Sequence, residues 1–112
     1  MRLKVFNMSI FLDVMKEELE RNIYKQQAFK NELESLHKGY LSICVIDGKS
    51  YVYRKKRVGN KIESEYVGVP NSEEHKKAII EREQYLELKE AIKKLKEEEN
   101  RLRRAISDYE KL

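Results

Sequence analysis

The sequence predicts an α+β fold: an antiparallel coiled-coil helical hairpin with a three-stranded antiparallel sheet inserted between its helices. Three observations lead there. Apolar residues recur at heptad spacing in both the first and last thirds of the chain. Between them the periodicity switches to alternation, interrupted at Asp47-Gly48 and Gly59-Asn60. Charged residues make up 39% of the 112 residues, with one proline and no tryptophan, which suits slender solvent-rich helices better than a thick core. The length, 1–112, is that of a single domain.

Residues 1–8 allow two readings, because Leu3 and Val5 also suit an extended arm. Either Met1 or Met8 then begins the ordered chain. Ser9 is the expected N-cap of a helix over 9–37. Its seam reads Leu12, Met15, Leu19, Asn22, Gln26, Phe29, Leu33, Leu36, with Asn22 and Gln26 as its two polar members. Gly39, after Lys38, is the stop. The sheet spans 40–68, with strands at 40–46, 51–58 and 61–67, and Gly68 and Pro70 end it.

The last helix, over 71–111, opens at Asn71 or Ser72, and Asn71 with Glu74 matches a capping box. Its seam reads Tyr85, Leu88, Ile92, Leu95, Glu99, Leu102, Ile106, Tyr109. A helix over that range is about 60 Å long at 1.5 Å per residue. It outruns a partner that starts at Ser9, leaving Leu102, Ile106, Tyr109 and Leu112 as an apolar overhang. Such a stripe finds a second chain, so a homodimer is expected, with Leu95, Leu102, Ile106 and Tyr109 as its oligomerisation contacts. The competing reading packs that tail on the 1–8 arm. Glu99, Asn22 and Gln26 read as polar residues that set register, not as catalytic groups.

The turns fix a register for the sheet. A two-residue Asp-Gly turn pairs Ile46 with Lys49, hence Cys44 with Tyr51 and Ser42 with Tyr53. A Gly-Asn turn pairs Val58 with Lys61, Lys56 with Glu63, Arg54 with Glu65 and Tyr53 with Tyr66. One face then collects Leu41, Ile43, Val45, Val52 and Val67 with the Arg54–Glu65 and Lys56–Glu63 pairs, and should pack on the helices. The other collects Tyr40, Tyr51, Tyr53 and Tyr66 with Lys55, Arg57, Ser42 and Ser64. A slip of one residue would exchange the two.

Over about residues 30–105, and most visibly at 39–69, the order of residues resembles a family of small uncharacterised bacterial and archaeal proteins. The shared features are Gly39-Tyr40-Leu41, Tyr51-Val52-Tyr53, the basic run Arg54-Lys55-Lys56-Arg57, a glycine turn, Glu65-Tyr66-Val67 and a long charged helix. Many members of that family carry a cysteine cluster between the first two strands; here the segment holds Cys44 alone, so the resemblance implies no metal role. A looser, architectural similarity is to the arm-binding domain of tyrosine recombinases, which lays a three-stranded sheet in the DNA major groove.

No Ser/His/Asp, Cys/His, phosphate-loop or paired-carboxylate pattern is present, so a binding role, not an enzyme, is expected. The single Cys44 excludes an internal disulfide, and His37 and His75 lack further fixed metal ligands. No metal or cofactor is expected. The net charge of +4 comes from 24 basic against 20 acidic residues, so only the distribution of charge points to a partner. The tyrosine and basic alternation of 51–57 does so. Tyr51, Tyr53, Lys55, Arg57, Lys61 and Tyr66 are the expected contacts to DNA or RNA. Against this stands a solvated edge whose cations block aggregation, and the competing function is a coiled-coil module that assembles with a protein partner. Arg101, Arg103 and Arg104, with Arg2 and Lys4, form a weaker candidate patch. Without a membrane-length apolar run or a signal-peptide core, a cytoplasmic location and no membrane partner are expected.

Overall fold

The structure is a computed structural model that describes residues 2–112, with side chains from Ile10 onward. It is α+β: α1 (Arg2–Ser35), β1 (Tyr40–Ile46), β2 (Lys49–Val58), β3 (Lys61–Gly68) and α2 (Glu73–Glu110). The helices hold 34 and 38 of the 112 residues. Circular dichroism should therefore report well over half helix, and a value below half would contradict the assignment.

Two compact units share these elements. The helical unit holds α1 up to Glu32 and α2 from Lys89 onward. Here the helices run antiparallel: Phe11 lies against Tyr109 and Lys16 reaches Glu110, while Asn22 donates to the Leu95 carbonyl at 2.9 Å. The residues at seam spacing are the less exposed ones in both helices, with Ile92 and Ile106 buried and the apolar remainder half-buried. Asn22 and Gln26 are buried too. Their amides are satisfied, since Gln26 Nε2 donates to both Asn22 Oδ1 (2.6 Å) and Glu99 Oε1 (2.8 Å). A buried amide without partners would cost about 1–3 kcal/mol, which this closed network avoids.

Two expectations about the ends are corrected. Residues 2–8 are helix and not an extended arm, because α1 opens at Arg2, upstream of Ser9. No Gly or Pro stands between them, and an interior serine costs a helix little, so nothing stops it from propagating. The longer α1 also abolishes the overhang. Ile106 is only 9% exposed, Leu102 and Tyr109 are half-buried, and the Phe11 and Tyr109 rings lie 6.4 Å apart. Leu95, Leu102, Ile106 and Tyr109 thus lie on the seam within one chain, and Leu112 stays exposed.

The second unit, Leu33–Leu88, contains the sheet, ordered β1-β2-β3. Its register is the one the turns dictate, from Ile46–Lys49 through Tyr53–Tyr66. Asp47 and Gly48 both take positive φ (52° and 77°), the signature of a type I′ turn. Gly59 alone does so at the second turn (62°), as the first central residue of a type II′ turn must. A register shift then sets Gly68, not Val67, opposite Val52. A Cβ on Gly68 would stand 2.8 Å from Ser72 Oγ, so a larger residue there would have to displace that hydroxyl.

Ser72 is the N-cap of α2, accepting from the His75 N–H through Oγ (3.2 Å). The expected Asn71–Glu74 box is replaced: Asn71 sits at φ 65°, outside the helix, and its N–H donates to His75 Nδ1. At the other end α1 stops at Ser35, and the His37 N–H donates to the Glu81 carboxylate at 2.9 Å.

The aliphatic sheet face is covered only in part. Val52 is fully buried, and Leu41 and Arg54 line a small crevice with Ala78, Glu81 and Arg82 of α2. Ile43 and Val45, on the same face, remain 57% and 68% exposed. The expectation that this whole face packs on helices is corrected accordingly. The β1–β2 hairpin continues past the side chains that cover its base.

Candidate nucleic-acid interface

Strand alternation, applied to the observed register, sorts the paired sheet residues to one of two faces, Val67 at the register shift excepted. Arg54 reaches Glu81 of α2 at 3.6 Å, which marks its face as the helix-covered one. The opposite face receives Tyr51, Tyr53, Lys55 and Arg57 from β2 and Tyr66 from β3, so five of the six expected contacts share one surface. Lys61 does not. It pairs with Val58 and falls, with Glu63 and Glu65, on the covered side.

The open face is organised around its rings. Tyr66 sits edge-on to both Tyr51 (6.2 Å, 62°) and Tyr53 (5.7 Å, 66°) and is 53% exposed. Such T-shaped pairs are worth about 0.5–1.5 kcal/mol beyond burial, so the cluster stiffens the sheet whether or not it meets a ligand. Tyr40 pairs with Lys55 and is exposed. Ser42 and Cys44 stand beside Tyr53 and Tyr51. Lys49 belongs here too, because β2 starts two residues earlier than the tyrosine run suggests. The Asp-Gly turn was its signal, since pairing Ile46 with Lys49 puts both on the face of Tyr51.

The strand carboxylates fall on one face, whereas the cations divide between both, with Arg54, Lys56 and Lys61 on the covered side. Lys49, Lys55 and Arg57 occupy the open side, and the strands place no carboxylate there. Glu63 and Glu65 lie opposite, where Arg54 bridges Glu65 (3.7 Å) and Glu81 (3.6 Å). Arg54 is 15% exposed and needs these partners. Glu81 also accepts from the His37 ring at 2.6 Å. The His37 backbone N–H is the chief reason its carboxyl is held below the usual glutamate range. The His37 ring and Arg54 add to this, against partial burial. Beside this cluster opens a cleft of about 470 Å³, lined by Glu34, His37, Lys38, Lys56, Glu63 and neighbours of both charges. Sequence reading missed the cluster, because His37 and Glu81 stand 44 residues apart.

The other candidates resolve separately. Arg103 is held by Glu99 at 2.8 Å. Hydrogen bonds from Gln26 and then Arg103 lower the Glu99 carboxyl. The side chains of Arg2 and Lys4 lie outside those described. His37 and His75 serve Glu81 and Asn71. Among the described residues no group of three or more His, Cys, Asp or Glu is placed to hold a metal ion, and no helix is long and apolar enough to cross a membrane. No protein-family model, curated protein or solved structure matches the chain.

Proposed function

We propose that the chain is a non-enzymatic nucleic-acid-binding module, an accessory or regulatory protein that uses the Tyr/basic face of its sheet. In this reading its helices form an antiparallel coiled-coil hairpin with the sheet inserted between them. One observation carries the reading: the register gives Lys49, Lys55, Arg57 and the tyrosines to one face and both strand glutamates to the other. A face meant only to stay soluble has no need to exclude carboxylates, since mixed signs, as on the covered face with Arg54, Lys56 and Lys61, serve that purpose. Cations interleaved with the half-buried Tyr51 and Tyr53, beside the exposed Tyr66, suit a ligand that offers both phosphates and flat bases.

The test is fluorescence anisotropy of labelled DNA and RNA oligonucleotides, titrated across salt. Lys55→Ala with Arg57→Ala should flatten the log–log salt slope by about 1.4–1.8, at roughly 0.7–0.9 per lost phosphate contact. Lys56→Ala, on the covered face, should leave the slope unchanged. Absence of binding to any oligonucleotide at low salt would remove the proposal. A protein-interaction module is then the stronger reading, and the exposed Ile43 and Val45 favour it. An apolar contact of that kind is insensitive to salt over the same range.

A further inference from the structure

Resting on the nucleic-acid reading above, we infer that the open sheet face takes a single strand and not a duplex, with the Tyr51–Tyr53–Tyr66 cluster as a stacking platform. In a duplex the base faces are stacked on one another, and only edges and phosphates are offered to a protein. Rings gain little from such a surface. A single strand can splay its bases, and every base then has a face for a ring to cover.

The balance of groups points the same way. Duplex binding draws heavily on phosphate contacts, and this face provides just three cations, Lys49, Lys55 and Arg57. All three lie on β2, with Tyr51 and Tyr53 between Lys49 and Lys55. Lys49 and Arg57 are about 27 Å apart along the strand at 3.4 Å per residue. A strand laid along β2 therefore meets charge at both ends and rings in the middle. The neighbouring β1 positions are Ser42 and Cys44, small enough to leave room beside the rings. The footprint is a few nucleotides, at the low end for a single sheet platform. Backbone charge and ring faces are common to DNA and RNA, so the recognised chemistry is the unpaired strand.

The experiment compares a labelled mixed-sequence 20-mer as single-stranded DNA, as single-stranded RNA and as its DNA duplex, with the full chain throughout. Either single strand should bind at least ten-fold more tightly than the duplex, with a salt slope of about −2 for three contacts at 0.7 each. Tyr66→Ala should weaken single-strand binding about ten- to a hundred-fold, while Tyr66→Phe, which keeps the ring, stays within a few-fold. Circular dichroism of both variants shows whether the sheet survives. Duplex binding equal to or tighter than single-strand binding, still lost with Lys55 and Arg57, would overturn the inference and leave the nucleic-acid reading standing. Binding by none of the three probes would overturn both. If DNA and RNA strands differ, the tighter one identifies the source of the strand.

Discussion

Gly39→Ala should be the most damaging single-methyl change in the sheet unit, at about 2–5 kcal/mol, summing backbone strain and overpacking. Two features of Gly39 combine. Its φ is 113°, where L side chains rarely go, and an added Cβ would stand 2.3 Å from the Lys55 carbonyl oxygen. That oxygen belongs to the backbone of the central strand, so it cannot swing aside as a side chain would. Gly48 provides the control. It also has positive φ, but a Cβ there meets nothing within 4 Å, so Gly48→Ala should cost about 1–2 kcal/mol from strain alone. Urea unfolding of the two variants measures the difference. Equal losses would mean that the chain does not approach β2 closely at Gly39.

Glu81→Ala should cost about 1–3 kcal/mol, and its loss should depend on pH. One carboxylate here accepts from the His37 N–H and ring and pairs with Arg54. Removing it leaves Arg54 with the more distant and more exposed Glu65. Because folding depresses the Glu81 pKa, its contribution is complete above the ordinary glutamate value. It fades as pH falls through the lower folded value, since protonation then removes the charge in both states. Wild type and Glu81→Ala should accordingly converge in stability toward acid and differ most near neutral pH. Glu81→Gln separates the parts, because it can still accept from the His37 N–H but no longer pairs with Arg54. A constant gap between wild type and Glu81→Ala from neutral to strongly acid pH would show that the ionised carboxylate contributes nothing.

The sheet was legible because its turns are chemically distinctive. Asp47-Gly48 and Gly59-Asn60 each admit few geometries, and each fixes the pairing of a whole hairpin. The helix seams were legible from heptad spacing, and even the polar members Asn22 and Gln26 fall where the pattern puts them. The start of α1 was hidden because Ser9 looks like a cap, yet nothing upstream resists helix. The shift opposite Val52 was hidden because no turn or charge pair in the sequence marks it. The His37–Glu81–Arg54 cluster joins three segments distant in sequence, and no local pattern announces it. Of the interface, the tyrosines, Lys55 and Arg57 are placed by alternation, and Lys61 departs from them because the second turn pairs it with Val58, on the other face.

The Asn22–Gln26–Glu99 network also behaves as a detent. Sliding α2 along α1 by one heptad would keep apolar residues facing apolar residues almost everywhere, so the hydrophobic seam resists it only weakly. The Gln26–Glu99 hydrogen bond resists it more. Glu99 would give way to Ile92 or Ile106, and Gln26 would face an aliphatic side chain instead of a carboxylate. Gln26 keeps its bond to Asn22 within α1, and Asn22 meets another backbone carbonyl, so the loss is the charge-assisted Gln26–Glu99 bond, about 1.5–3 kcal/mol. The two helices are thereby indexed at one setting, as a notched rod is held by its pawl, and a force that drags one along the other would be resisted in heptad-sized steps.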